Sequence, residues 1–166
     1  MANIRTQKRR RRENKTDYKL RKGLLESLIP RVVIRRTNKY FIVQAVESDE
    51  AKDEVLFGVT SKDLLKNGWD EKYSGSLKSI SAGYLTGLLF AKKVKSLKLK
   101  TKFVVDLGMA RTLSGSRVFS VVKGLVDGGL DINADEKVFP LEGRLNGEHM
   151  GEDKKKMIVK VRENIK

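Results

Sequence analysis

Three stretches of the chain collect side chains suited to holding phosphate. Lys8, Arg9, Arg10, Arg11, Arg12 and Lys15 form an N-terminal run without apolar periodicity, and such a run can track a polyanion and release its counterions. In "RVVIRRTNKYFIVQAV", residues 31–46, Arg31, Arg35, Arg36 and Lys39 crowd a short segment, with Thr37 and Asn38 beside them as neutral donors. Like charges held that close repel one another, so their spacing asks for an anionic ligand. In "ARTLSGSR", residues 110–117, Arg111, Ser114, Ser116 and Arg117 surround Gly115 where a helix is predicted to begin. Unpaired N–H groups and the helix dipole favour an anion there, although an ordinary serine cap accounts for the same residues equally well. Thr16, Tyr18 and Arg21 follow the arm, and Tyr18 and Tyr40 are suited either to stacking on bases or to the core.

Other chemistries find little support. The chain has no cysteine, and His149 is its one histidine, which removes thiol catalysis and cysteine-held zinc and agrees with a reducing cytosol. Neither GxxxxGK[ST] nor GxGxxG occurs. "DINADEKVFPLE" sets Asp131, Asn133, Asp135 and Glu142 at calcium-loop positions, but Glu136 replaces the turn glycine and Pro140 and Gly143 interrupt the exit helix. Asp106, at the end of a predicted strand, is the one carboxylate suited to a nuclease metal, without obvious acidic partners. A nucleic-acid-processing enzyme and a non-specific DNA-binding protein are therefore the alternatives to a structural RNA binder; neither a cofactor nor a small-molecule substrate is expected.

Charge distribution points the same way. Of the net +15, residues 1–39 carry 14 Lys/Arg and 3 Asp/Glu, residues 40–153 carry 16 and 17, and residues 154–166 carry 6 and 1. A nearly neutral middle with basic ends suits a nucleic-acid partner. The longest apolar stretch, "ISAGYLTGLLFA", is too short to span a bilayer, and no amphipathic or lipidation signal suggests a membrane surface.

The elements that must carry these cations follow from periodicity. The reading divides the chain into a basic arm (1–15), one α/β domain (16–150) and a basic tail (151–166) in which "MIVKV" adds a strand or extends as a second arm. Thr16 or Asp17 caps a short helix that Pro30 ends. An Asn38–Lys39 turn sets Arg36 opposite Phe41 and Ile34 opposite Val43, with Arg35 and Arg36 on opposite faces. A strand at 54–60 completes a meander after the acidic loop "ESDEAKDE", and Ser61 caps "KDLLKN". A helix over 77–97, a strand over 102–108 and a helix over 116–129 follow, with Gly83 and Gly87 letting the long helix lie close to a sheet.

The ordered segments "KTDY", "RRTNKYFIVQ", "AGYLTGLL", "VVDLG", "GSRVF…KGL", "GLDI", "VFP" and "GEHM" resemble the archaeal/eukaryotic form of the 5S-rRNA-binding large-subunit ribosomal protein family, number eighteen in the universal scheme. The similarity runs from about Lys8 to Met150, and the tail from Lys154 has no counterpart in it. The resemblance implies a ribonuclease-H-like mixed sheet, an antiparallel three-strand meander followed by αβα, without catalysis. It also implies a cytoplasmic, ribosomal protein that attaches 5S rRNA to the large-subunit rRNA at the central protuberance, beside neighbouring ribosomal proteins. By position, the arm, "KTDY", the "RRTNK" tip and the "GSR" loop are then the stretches expected to touch RNA.

Overall fold

Three consecutive apolar segments pair as a meander: β1 (Arg31–Arg36), β2 (Phe41–Asp49) and β3 (Lys52–Thr60). The computed structural model describes residues 6–165. In the first hairpin Arg36 faces Phe41 and Ile34 faces Val43, the register that a turn at Asn38–Lys39 requires. Thr37 closes the tip, its N–H and Oγ1 both donating to the Tyr40 carbonyl at 2.9 and 2.7 Å. The acidic segment expected as a loop is instead mostly strand. Glu50 and Ala51 both take positive φ, 46° and 66°, so a two-residue turn suffices and β3 begins at Lys52. A fourth strand, β4 (Val104–Asp106), shorter than the expected 102–108, runs parallel to β1 and gives the order β3-β2-β1-β4. This is an α/β fold on a four-stranded mixed sheet.

The helices are α1 (Arg9–Arg12), α2 (Tyr18–Glu26), α3 (Ile80–Ser96), α4 (Arg117–Asp127), α5 (Glu142–Leu145) and α6 (Glu152–Ile165). Asp17 rather than Thr16 caps α2, accepting from the Lys19 and Leu20 N–H groups. The chain leaves α2 at Ser27, before Pro30, with Leu28 in a left-handed turn. Residues 61–67 form a 3-10 helix entered through Thr60, whose N–H and Oγ1 both bond the Asp63 carboxylate. Ser61, expected as its cap, is buried instead; it accepts from the Phe41 N–H and donates to the Leu77 carbonyl. The polar segment before α3 is a second 3-10 helix, Glu71–Ser76.

Helix α3 lies between two apolar clusters, which is why residues 80–91 are apolar or small on nearly every side while the exposed lysines begin at Lys92. On one side Phe90, Ala91 and Val94 join Val32, Ile34, Phe41, Val43 and Phe57 of the sheet and Val121 and Leu125 of α4. Phe57 and Phe90 stack with centroids 4.7 Å apart. On the other side Ala82 and Leu85 meet Leu64, Trp69 and Leu77 together with Ile158, Val161 and Ile165 of α6. Burying each Leu or Phe this fully contributes roughly 1.5–3 kcal/mol.

Two expectations need correction. Gly87 faces α4 rather than the sheet, and Gly83 faces both α4 and Phe41 of β2: a Cβ on Gly87 would fall on the Val121 carbonyl, and one on Gly124 on the Tyr84 carbonyl. The glycines of each helix admit the backbone of the other. The segment containing "MIVKV" is neither strand nor arm but the helix α6. Ile158, Val161 and Ile165 recur at helical spacing and cover α3. Arg162 turns inward between them, its Nη2 donating to the Tyr84 hydroxyl at 3.1 Å, and that hydroxyl donates to Asp127 at 3.0 Å. Burial and then the Asp127 carboxylate push the Tyr84 phenol up to about 12.

Gly87→Ala forces α3 and α4 apart. It is expected to lower stability in urea unfolding by about 1–3 kcal/mol or more, the cost of overpacking against backbone.

Candidate nucleic-acid interface

The site is built around Arg31, whose side chain is only 3% exposed. Its position opposite Val46 on β2 and Val104 on β4 places it inside the sheet rather than at the tip. A guanidinium cannot deprotonate to escape burial, so it needs partners. Nη1 donates to Asp106 Oδ2 at 3.2 Å, and Nη2 donates to Asp53 Oδ1 at 2.7 Å and Ser48 Oγ at 2.9 Å. Ser48 in turn donates to Asp53 Oδ1 at 2.7 Å. Partial burial raises the Asp53 carboxyl, but the Ser48 and Arg21 hydrogen bonds and the Arg31 and Arg21 charges outweigh it and hold the group below its ordinary 3.8.

Each carboxylate then reaches outward to a second cation. Asp53 Oδ2 pairs with Arg21 of α2 at 3.0 Å. Asp106 Oδ1 pairs with Arg35 of β1 at 2.9 Å and accepts from the Gly108 N–H at 2.8 Å. Arg35 also donates to the Asp106 and Ile34 carbonyls at 2.8 and 3.0 Å. Both oxygens of Asp106, the carboxylate considered for a metal, are thus engaged by arginines. Among the described residues no three His, Asp or Glu side chains gather in a way that could hold an ion. In the calcium-like segment, Asp131 forms an isolated parallel bridge with Lys102, and Asp135 caps a short 3-10 turn at 136–138.

Above this network lie two clefts that share Arg36, Met109 and Ala110. The first, about 440 Å³, is lined by Arg10, Lys15, Arg21, Arg35 and Arg36 over a floor that includes Leu107 and Gly108. The second, about 380 Å³, is lined by Arg36, Arg111, Ser116 and Arg117. Arg10 is brought in because its Nε donates to Thr16 Oγ1 at 2.9 Å, tying the arm to the segment that enters α2. Cations from the arm, α2, β1 and the 108–117 loop therefore form one continuous basic border. Such a surface can bind a run of phosphates and position a nucleic acid.

The sequence-derived residues divide accordingly. Lys8, Arg9, Arg11, Arg12, Asn38 and Lys39 are exposed but line neither cleft. Lys8 Nζ sits 4.6 Å from the centroid of the Tyr18 ring. Thr37 has its hydroxyl engaged in the turn, and Ser114 donates to the Lys137 carbonyl. Ser116 occupies the N-cap position of α4 without bonding its N–H groups. Arg31, grouped with the hairpin cations in the sequence, is instead buried, its guanidinium bonded to Asp106, Asp53 and Ser48. The residues not foreseen are Asp53 and the cleft floor around Gly108, and no local spacing marks either, because both depend on strand pairing. The lysine-rich end of α3 lines neither cleft.

Arg31→Met leaves Asp106 with half its counter-charge in a nearly buried position. It is expected to cost about 3–5 kcal/mol, read as a lower urea midpoint at unchanged m-value, whereas Arg36→Ala on the surface shifts stability by no more than about 0.5 kcal/mol. Because Asp53 titrates lower in the folded state, its contribution is present above its unfolded value and lost as pH falls through its depressed one. Asp53→Asn should therefore flatten the acid limb of stability plotted against pH.

A family model described as ribosomal large subunit proteins 60S L5 and 50S L18 matches residues 2–104 and 95–135. The chain is 44% identical over 142 residues to the large ribosomal subunit protein uL18 of Methanoregula boonei, spanning 86% of this chain and 79% of the relative. Against the uL18 proteins of Korarchaeum cryptofilum and Methanoculleus marisnigri the identities are 44% and 45%, spanning 86% and 87% of this chain and 70% and 79% of those relatives. With archaeal relatives this similar over most of its length, the chain belongs to the ribosomal large-subunit protein family that comprises 60S L5 and 50S L18.

Proposed function

We propose that this protein is a structural constituent of the large ribosomal subunit that binds 5S rRNA and helps attach it to the large-subunit rRNA at the central protuberance, beside neighbouring ribosomal proteins. The observation that carries this reading is the continuous border of Arg10, Lys15, Arg21, Arg35, Arg36, Arg111 and Arg117 around two joined clefts. Cations from four separate elements converge only because the chain folds, so the surface has the fixed shape needed to engage a folded RNA rather than any polyanion. The order β3-β2-β1-β4 with a parallel last strand supports the ribonuclease-H-like reading of the fold. The engagement of Asp106 by two arginines favours a structural role over a catalytic one. Exposed Lys8, Arg9, Arg11 and Arg12 add charge that can follow the backbone beyond the clefts.

The test is a binding titration of the full chain with 5S rRNA against an unrelated folded RNA of equal length. Roughly six to ten phosphate contacts predict a loss of about 10³–10⁵ in affinity between 50 and 200 mM salt. Arg36→Ala with Arg111→Ala should weaken 5S rRNA binding and lower the salt slope by about 2, with the far-UV spectrum unchanged. Equal affinity for both RNAs would remove the 5S assignment, and an unaltered slope in the double variant would remove the clefts from the interface.

A further inference from the structure

Two carboxylates beneath an anion-binding cleft work against attraction, so their presence calls for another explanation. Arg36, on the cleft border, makes no ion pair among the described residues, whereas Arg35 and Arg21 are each held by an aspartate. Those aspartates are themselves fixed from below by the buried guanidinium of Arg31. Arg35 gives three of its five N–H donors to the Ile34 carbonyl, the Asp106 carbonyl and Asp106 Oδ1, which leaves two for a ligand and sets their direction. Gly108, at φ +60°, lies flat against this guanidinium; a Cβ there would sit 2.9 Å from Arg35 Cζ. Arg21, from a helix that buries none of its own residues, is tied to the sheet edge by Asp53 at 3.0 Å.

We propose that Asp106 and Asp53 are positioning residues of the RNA interface: clamped by Arg31, they fix where Arg35 and Arg21 present their remaining donors, and so supply selectivity at the expense of net attraction. The inference rests on the RNA-binding reading above. It makes the carboxylates matter for which RNA is bound through the arginines they hold, Asp106 from the lining of the first cleft itself.

The experiment measures affinity of the full chain for 5S rRNA and for an unrelated folded RNA of equal length, in the wild type, Asp106→Asn and Asp53→Asn. Each substitution removes a negative charge, so a purely electrostatic role predicts tighter binding of both RNAs. A positioning role predicts that 5S rRNA binding weakens by about tenfold or more, the scale of one lost charged hydrogen bond, while the unrelated RNA binds as well as before or better. Should Asp106→Asn fail to fold, Asp53→Asn at the partly exposed sheet edge decides alone, its melting curve taken alongside. Parallel strengthening, or no change, of both affinities in a folded variant would overturn the inference. A wild type that does not distinguish the two RNAs would instead overturn the reading beneath it, and the inference with it.

Discussion

A guanidinium buried in a β-sheet stays charged, so everything around Arg31 must answer that charge. Asp106 reaches it from β4 and Asp53 from β3, the two outermost strands, while Arg31 itself sits on β1. One ion-pair network thereby crosses the sheet from edge to edge. Such a network is weak as a source of stability compared with an apolar core, but it tolerates very few arrangements. The pairing of β1 with β4, the seat of α2 and the direction of Arg35 are all tied to it.

That constraint separates the molecule into a scaffold and a border. The scaffold gains its stability conventionally, through the two apolar clusters on either side of α3 and the glycine-lined contact between α3 and α4. The border is charged; its arm and α2 cations come from segments that bury little apolar area, whereas Arg35, Arg36 and Arg117 stand at the ends of the core elements β1 and α4. Helix α2 has no fully buried residue, and Leu28 beyond it is 89% exposed. These parts hold their place through ion pairs and hydrogen bonds, the kind of contact a polyanion can complete.

Much of this was legible in the residues alone. The hairpin register could be read because a two-residue corner between apolar runs fixes which side chains oppose each other, and the uneven charge indicated a polyanion. What escaped was decided by tertiary contact. Arg31 looks like its neighbours Arg35 and Arg36, yet strands on both sides bury it. Gly83 and Gly87 show that something approaches closely but not whether it is sheet or helix, and Gly124, which answers Gly87, becomes its partner only after folding. In "MIVKV" the short β-branched apolar run suggests a strand, whereas the spacing that buries Ile158, Val161 and Ile165 requires the longer helical window. Asp53 stands in an acidic stretch like any solvated turn, and only the second hairpin brings it under Arg21.

The central claim, that a folded RNA seats on the joined clefts above the Arg31 network, is tested most directly by ultraviolet crosslinking of the protein to 5S rRNA followed by peptide mapping. The account predicts crosslinks concentrated in the arm and α2, at the Arg35–Lys39 corner and in the loop from Met109 to Arg117. Crosslinks confined to the lysine-rich end of α3 and to α6, with those three stretches unmarked, would contradict it.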